Sequence, residues 1–174
     1  MEKVKSQLIK MFQEIQEAVQ LVTITEVESL PPGEHITPVI YLLTPHGLER
    51  ARVFEIGGEE LGEAEKIKLR KKVLTDLLYQ FHAYGYFFVV EAKKYEPSDP
   101  QMIAKILKGD LKQADIPPDD LDETVIMYSM TQGAGVSHLA PVTTGVDQKR
   151  HVGAFELSLI PVETGGISAM PLDW

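Results

Sequence analysis

Apolar residues in the first part of the chain recur at helical spacing and predict a long amphipathic helix over residues 2–22. They fall at steps of three and four, at Val4, Leu8, Met11, Phe12, Ile15, Val19 and Val22. This spacing places them on one stripe of an α-helix. The stripe needs an apolar partner, which is either the chain's own sheet or a second subunit. Two prolines and a glycine within residues 29–35 predict the end of this helix.

The next pattern predicts a hairpin, a second long helix and a buried strand. A β-hairpin is expected over residues 36–56, around the turn sequence TPHG. Residues 57–85 predict a helix, because glutamates crowd its first turns and leucines recur along one face. Residues 86–95, YFFVVEAKKY, contain an unbroken apolar run, which predicts a strand that is buried on both faces.

The second half of the chain predicts an irregular insertion and then two strands. Residues 95–122 are acidic and rich in proline, with one short helix that Asp99 would cap and Pro100 would begin. Strands are expected over 123–131 and 151–162. Between them, TQGAGVSHLAPVTTG at 131–145 is interpreted as a long turn rather than a loop that performs chemistry. The tail at 161–174 has no clear pattern.

These elements predict a single α+β domain over residues 1–174. A strand–helix–strand step favours a parallel crossover, and hairpins favour antiparallel pairs. We therefore expect about five strands in a mixed, mostly antiparallel sheet, with the two long helices on one face and a short helical insertion. The segments FFVVEA and ETVIMYS resemble parts of small bacterial and phage α+β proteins, a resemblance that implies no activity.

Composition and charge restrict the partners and the compartment. The 174 residues are 44% hydrophobic, which suffices for a packed core, and the net charge of −9 disfavours nucleic acid as a partner. The absence of cysteine excludes disulfides, thiolate zinc ligands and a cysteine nucleophile. No stretch approaches the roughly 20 apolar residues of a membrane span, and the charged N-terminus lacks a signal-peptide core. We therefore expect a cytoplasmic protein without a membrane partner.

Glu91 is the leading candidate for a catalytic carboxylate, because it follows the most apolar strand. Together with His138 and His151 at one end of the sheet, it would form a catalytic group of a hydrolase-like enzyme. The alternative is that Glu91 pairs with a lysine or arginine on the next strand. The five histidines show no HxH or HxxxH spacing, so no metal ligand is assigned and no cofactor is expected.

The glycine-rich segment supplies candidate binding residues, Gly133, Gly135 and Ser137, because backbone amides in a GAG sequence can hold an anion. It lacks the GxGxxG spacing and the following helix of a nucleotide-binding loop. Three classes of function stay open: a binding or assembly protein, an enzyme and a small-ligand sensor. The first is favoured, as a homo-oligomer or a component of a larger complex, because an uncovered apolar stripe usually marks an interface.

Overall fold

The structure, a computed structural model, describes residues 2–52, 62–95, 99–108, 116–117, 121–131 and 134–158. Three helices and seven strands lie within these ranges. They are α1 Glu2–Ser29, β1 Val39–Thr44, β2 Gly47–Arg52, α2 Glu63–Gln80, β3 Gly85–Tyr95, α3 Pro100–Lys108, β4 Leu121–Thr131, β5 Ala134–Thr144, β6 Arg150–Val152 and β7 Glu156–Ser158. Among the described helices, none has the length and apolar character that crossing a membrane would require.

All the described strands join one antiparallel sheet. Its order is β2-β1-β3-β4-β5-β6, and β7 pairs with β5 beside β6. The α+β class is confirmed, whereas the expected five strands and mixed pairing are wrong. The helical crossover does join two parallel strands, β2 and β3, but β1 lies between them and pairs antiparallel with both. The crossover therefore creates no parallel pair.

The segment interpreted as a long turn, 131–145, is mostly a strand. β5 pairs with β4 from Ala134↔Thr131 to Pro141↔Thr124, so only residues 132 and 133, which lie outside the described ranges, separate the two strands. Glycine and proline disfavour strands locally. The long apolar β4 nevertheless offers a complete row of backbone partners, and this pairing outweighs the local preference.

The last predicted strand is divided into β6 and β7 by a β-bulge. The register against β5 shifts by one residue between them, from Val142↔Val152 to Leu139↔Glu156. The N–H of Gly153 donates to the carbonyl of Pro141 at 2.8 Å. A Cβ atom at Gly153 would lie 2.8 Å from Cγ of Pro141, so only glycine permits this approach. β6 and β7 thus act as one bent edge strand.

The two long helices lie on opposite faces of the sheet. α1 packs against Phe87 and Val89 of β3, whereas α2 packs against Tyr86 and Phe88. Successive side chains of a strand point to opposite faces, so the expectation that both helices share one face is wrong. The predicted burial of β3 on both faces is confirmed, because all four of these side chains are buried.

The sheet curves around α1. β2 and β6 are five strand spacings apart, about 24 Å in a flat sheet, whereas a helix with its side chains is about 10–12 Å wide. The end of α1 nevertheless contacts both strands. Arg50 Nη1 of β2 lies 2.7 Å from Glu26 Oε1, and the N–H of Val152 in β6 donates to Glu28 Oε1 at 3.0 Å. α1 therefore lies in the concave side, and α2 covers the convex side.

The first helix ends at Ser29 rather than at residue 22. The β-branched sequence TIT at 23–25 weakens a helix in isolation. In the fold, Thr23 and Val27 are buried against the sheet, and the Thr23 hydroxyl donates to the carbonyl of Val19 at 2.8 Å. Tertiary packing thus extends the helix beyond its local preference.

Two shorter predicted elements are present where the structure describes them. β1 and β2 form the hairpin expected within 36–56, and the N–H of Gln101 donates to Asp99 Oδ1 at 2.9 Å at the start of α3. Residues 53–56, parts of the acidic insertion at 95–122 and the tail at 161–174 lie outside the described ranges.

We predict that Val89→Asp lowers the free energy of unfolding by about 4 kcal/mol or more, because it buries an unpaired charge at the centre of the sheet. Val136→Asp is the matched control. Val136, on β5, lies on the same face of the sheet as Val89 but is exposed. Urea denaturation followed by circular dichroism measures both variants. A Val89→Asp protein as stable as the control would contradict the central position of β3.

Candidate functional site

A buried ion pair joins β3 to β6. Arg150 Nη2 lies 2.6 Å from Glu91 Oε1, and the two side chains are 0% and 4% exposed. The other carboxylate oxygen of Glu91, Oε2, accepts the backbone N–H of Ile36 at 2.8 Å and lies 3.2 Å from Nδ1 of His35. Both oxygens of Glu91 are therefore held by neighbouring groups of this chain.

The same arginine reaches two further parts of the fold. Arg150 Nη1 donates to the carbonyl of Glu34 at 2.7 Å, and Nη2 lies 3.4 Å from Glu123 Oε2. One guanidinium thus links β3, β4, β6 and the loop between α1 and β1. This reach requires the curved sheet, because β3 and β6 would be about 14 Å apart in a flat one.

The contacts of Glu91 describe a structural cluster. Charge-assisted hydrogen bonds of this length are strong and hold both partners in fixed positions. The pairing alternative for Glu91 thus accounts for its surroundings, although its arginine lies on β6 and not on the neighbouring strand. The geometry favours a structural ion pair that links β3 to β6 across the concave face of the sheet.

His138 forms a separate polar contact, between β5 and α1. Its Nε2 lies 3.3 Å from Nε2 of Gln16, whose Oε1 accepts the Ser129 hydroxyl at 3.4 Å. Nδ1 of His138 is buried, with no hydrogen-bond partner among the residues that the structure describes. Burial lowers the pKa of His138 below its usual value of 6.5. This histidine is therefore held neutral at the interface between helix and sheet.

His151 lies apart from both of these groups. It follows Arg150 on β6, so its side chain points to the other face, where it is half-exposed and Nε2 lies 3.3 Å from Asp147 Oδ1. The backbone N–H of Lys149 donates to the same oxygen at 3.1 Å, and this bond, followed by the contact with His151, lowers the pKa of Asp147. The three predicted catalytic residues therefore belong to three different sets of contacts.

The candidate binding residues fall on β5 or outside the described ranges. Gly133 lies outside them, whereas Gly135 pairs with Met130 and is exposed. Ser137 is buried, and its side chain points to the α2 side, opposite to that of His138. Adjacent in sequence, Ser137 and His138 thus face different layers. Within the described part of the chain, no group of three or more His, Asp or Glu residues could hold a metal ion.

Sequence reasoning missed Arg150 and Gln16, which complete the two polar contacts. A buried carboxylate requires a counter-charge, so Glu91 indicated that some basic partner exists without indicating which one. Arg150 stands two residues before Val152 in a strand, which is a weak signal that it faces inward. Gln16 carries no comparable signal, because it lies beside the apolar stripe of α1.

Comparison with known proteins adds no family to these observations. No protein-family model, no curated protein and no solved structure matches the chain. The function is therefore argued from the contacts and surfaces of the chain itself.

We expect Arg150→Met to lower the free energy of unfolding by about 3–5 kcal/mol, because it leaves the buried charge of Glu91 without a partner. Arg50→Met is the control, since it removes the more exposed pair with Glu26 and should cost less than about 1 kcal/mol. The double variant Glu91→Gln/Arg150→Met should recover part of the loss. Urea titrations of the wild type and the three variants give their free energies of unfolding, and equal losses in the two single variants would refute the buried ion pair.

The burial of His138 predicts a pH dependence. Because its pKa is lowered in the fold, the unfolded chain takes up the proton first as the pH falls. The contribution of His138 to stability is thus complete above its usual pKa of about 6.5 and is lost as the pH decreases below it. His138→Gln should therefore lose less stability than the wild type between about pH 7.5 and about pH 5.5.

His151→Gln is the control for this experiment, because it also removes one histidine, but an exposed one, and so separates the burial of His138 from the loss of a histidine as such. Urea denaturation at each pH measures the effect. The same loss in His138→Gln as in the wild type would show that burial of His138 does not contribute.

Proposed function

We propose that this chain is a cytoplasmic assembly protein that associates with a second copy of itself through the outer side of α1. The predicted apolar stripe of α1 divides in the fold. Phe12 and Val19 pack into the core cluster, whereas Met11 and Val22 remain 39% and 44% exposed. An apolar surface of this kind usually marks a site of interaction.

An uncharged stretch of α1 with exposed apolar side chains carries the proposal. Residues 18–25, AVQLVTIT, contain no charged side chain, and Leu21 is 65% exposed. The hydroxyl of Thr25 donates to the carbonyl of Leu21 at 2.9 Å. Its polar atom is therefore directed to the helix backbone, and the surface that faces solvent is more apolar than the composition alone indicates.

The faces and edges of the sheet are less suited to association. Each face of the sheet is covered by one of the chain's own helices. The β2 edge carries Glu49, Arg50 and Arg52, and a bulge bends the β6–β7 edge, both of which oppose strand pairing between molecules. Because the net charge is −9, two copies of the chain repel each other. This repulsion opposes contact least when the two surfaces that meet carry no charge.

The proposal predicts that the wild-type chain has the mass of a dimer or larger species at micromolar concentration. Val22→Glu should reduce this mass to that of a monomer, because it places a charge within the uncharged surface. Val73→Glu is the matched control on the exposed side of α2, where Val73 is 38% exposed. Size-exclusion chromatography with light scattering measures all three proteins, and circular dichroism confirms that both variants fold.

A wild-type protein that is monomeric at every concentration would overturn the proposal. So would a Val73→Glu variant that dissociates as readily as Val22→Glu.

A further inference from the structure

Four exposed residues in the second half of α1 form an uncharged surface, which we call the outer patch. They are Ala18, Leu21, Val22 and Thr25. Val19 and Thr23, which lie among them in sequence, are buried. Residues three and four apart are neighbours on the surface of a helix, so the four side chains adjoin one another on the side away from the sheet. Every member of the outer patch is therefore accessible to a second copy of the chain.

Acidic residues lie on both sides of the outer patch along the helix. Two glutamates precede it and two follow it, while residues 11–29 contain no lysine or arginine. The four are Glu14, Glu17, Glu26 and Glu28. Cations from outside this stretch approach two of them, since Nζ of Lys10 lies 3.7 Å from Oε1 of Glu14 and Nη1 of Arg50 lies 2.7 Å from Oε1 of Glu26. Pairs at such exposed positions are weak, so the outer patch is an uncharged interval between two acidic ones.

Two α1 helices that packed lengthwise on their outer patches would bring these acidic residues together. In an antiparallel pair centred between residues 21 and 22, Glu17 lies opposite Glu26 of the second copy. Glu14 then lies opposite Ser29, and hence beside Glu28. In a parallel pair, each glutamate lies opposite its own counterpart. Like charges that face each other on helix surfaces are destabilising, so both lengthwise arrangements are opposed.

Resting on the proposed self-association, we infer that the two α1 helices cross steeply at the outer patch, so that only this uncharged interval is in contact. The patch consists of two rows of residues four apart, one of Ala18 and Val22 and the other of Leu21 and Thr25. Rows of this spacing pack into the grooves of a second helix at a crossing angle of about 50°. The small side chains of Ala18 and Thr25 leave space for Leu21 and Val22 of the second copy.

The length of the outer patch agrees with such a crossing. From Ala18 to Thr25 it extends about 10 Å along the helix axis. At about seven residues from the crossing point, two helices that cross at about 50° are displaced sideways from each other by about 9 Å. Glu14 and Glu28 lie at about this distance from the centre of the patch. The crossing therefore separates them from the acidic residues of the second copy.

Cysteine cross-linking tests the crossing, because the full chain contains no native cysteine. Leu21→Cys lies at the proposed crossing point, whereas Glu14→Cys, alone or mixed with Ser29→Cys, forms a disulfide rapidly only if the helices pack lengthwise. Val73→Cys, exposed on α2, gives the rate for copies that meet by random collision. With glutathione as the oxidant, the inference predicts that Leu21→Cys forms a disulfide-linked dimer several times faster than the other three samples, whose rates are similar.

The other outcomes separate this inference from the proposed function. If Glu14→Cys cross-links as fast as Leu21→Cys, either with itself or with Ser29→Cys, the helices pack lengthwise, parallel or antiparallel respectively. Either result would overturn the crossing while leaving self-association intact. A dimeric Leu21→Cys protein that cross-links no faster than Val73→Cys would exclude the outer patch as the contact. Monomeric proteins that all cross-link at the rate of Val73→Cys would overturn both the crossing and the proposed function.

Discussion

The enclosure of α1 by a curved sheet is the constraint on which the rest of this fold depends. A flat sheet would leave the last turns of α1 in contact with only one of the edge strands. In the curved sheet, Arg50 of β2 and the backbone of Val152 of β6 both bind glutamates near the end of the helix. The same curvature brings Arg150 within hydrogen-bonding distance of Glu91. Helix, edge strands and buried ion pair are therefore mutually dependent.

Polar contacts fix the rotation of α1 as well as its position. Apolar packing alone tolerates small rotations of a helix, but directional hydrogen bonds do not. Gln16 binds both His138 and Ser129, and Glu26 binds Arg50 on the other side of the helix. These contacts determine which residues face the sheet, and therefore which face outward. The exposure of Met11, Leu21 and Val22 is thus a consequence of the way in which the inner face is held.

The sequence predicts individual elements well and their arrangement less well. The apolar run of β3 correctly indicates a strand that is buried on both faces, which in turn requires a layer on each side of the sheet. Placing both helices on one face contradicted that requirement. β5 was not predicted, because its glycine, proline and hydroxyl residues are typical of a turn. They form a strand here because their backbone pairs with that of β4. Glu91 could be recognised as unusual, but its arginine lies 59 residues away in sequence and becomes its neighbour only through the curvature.

The concentration dependence of the melting temperature tests most directly whether the outer side of α1 is an interface. Binding of a second copy to the folded chain stabilises it by mass action, whereas a monomer melts at a constant temperature. If α1 has an inner face for folding and an outer face for association, the Tm should rise by roughly 3 °C or more over about a hundredfold increase in protein concentration. The Tm of Val22→Glu should stay constant over the same range. A wild-type Tm that does not change with concentration would contradict the assignment of the outer face.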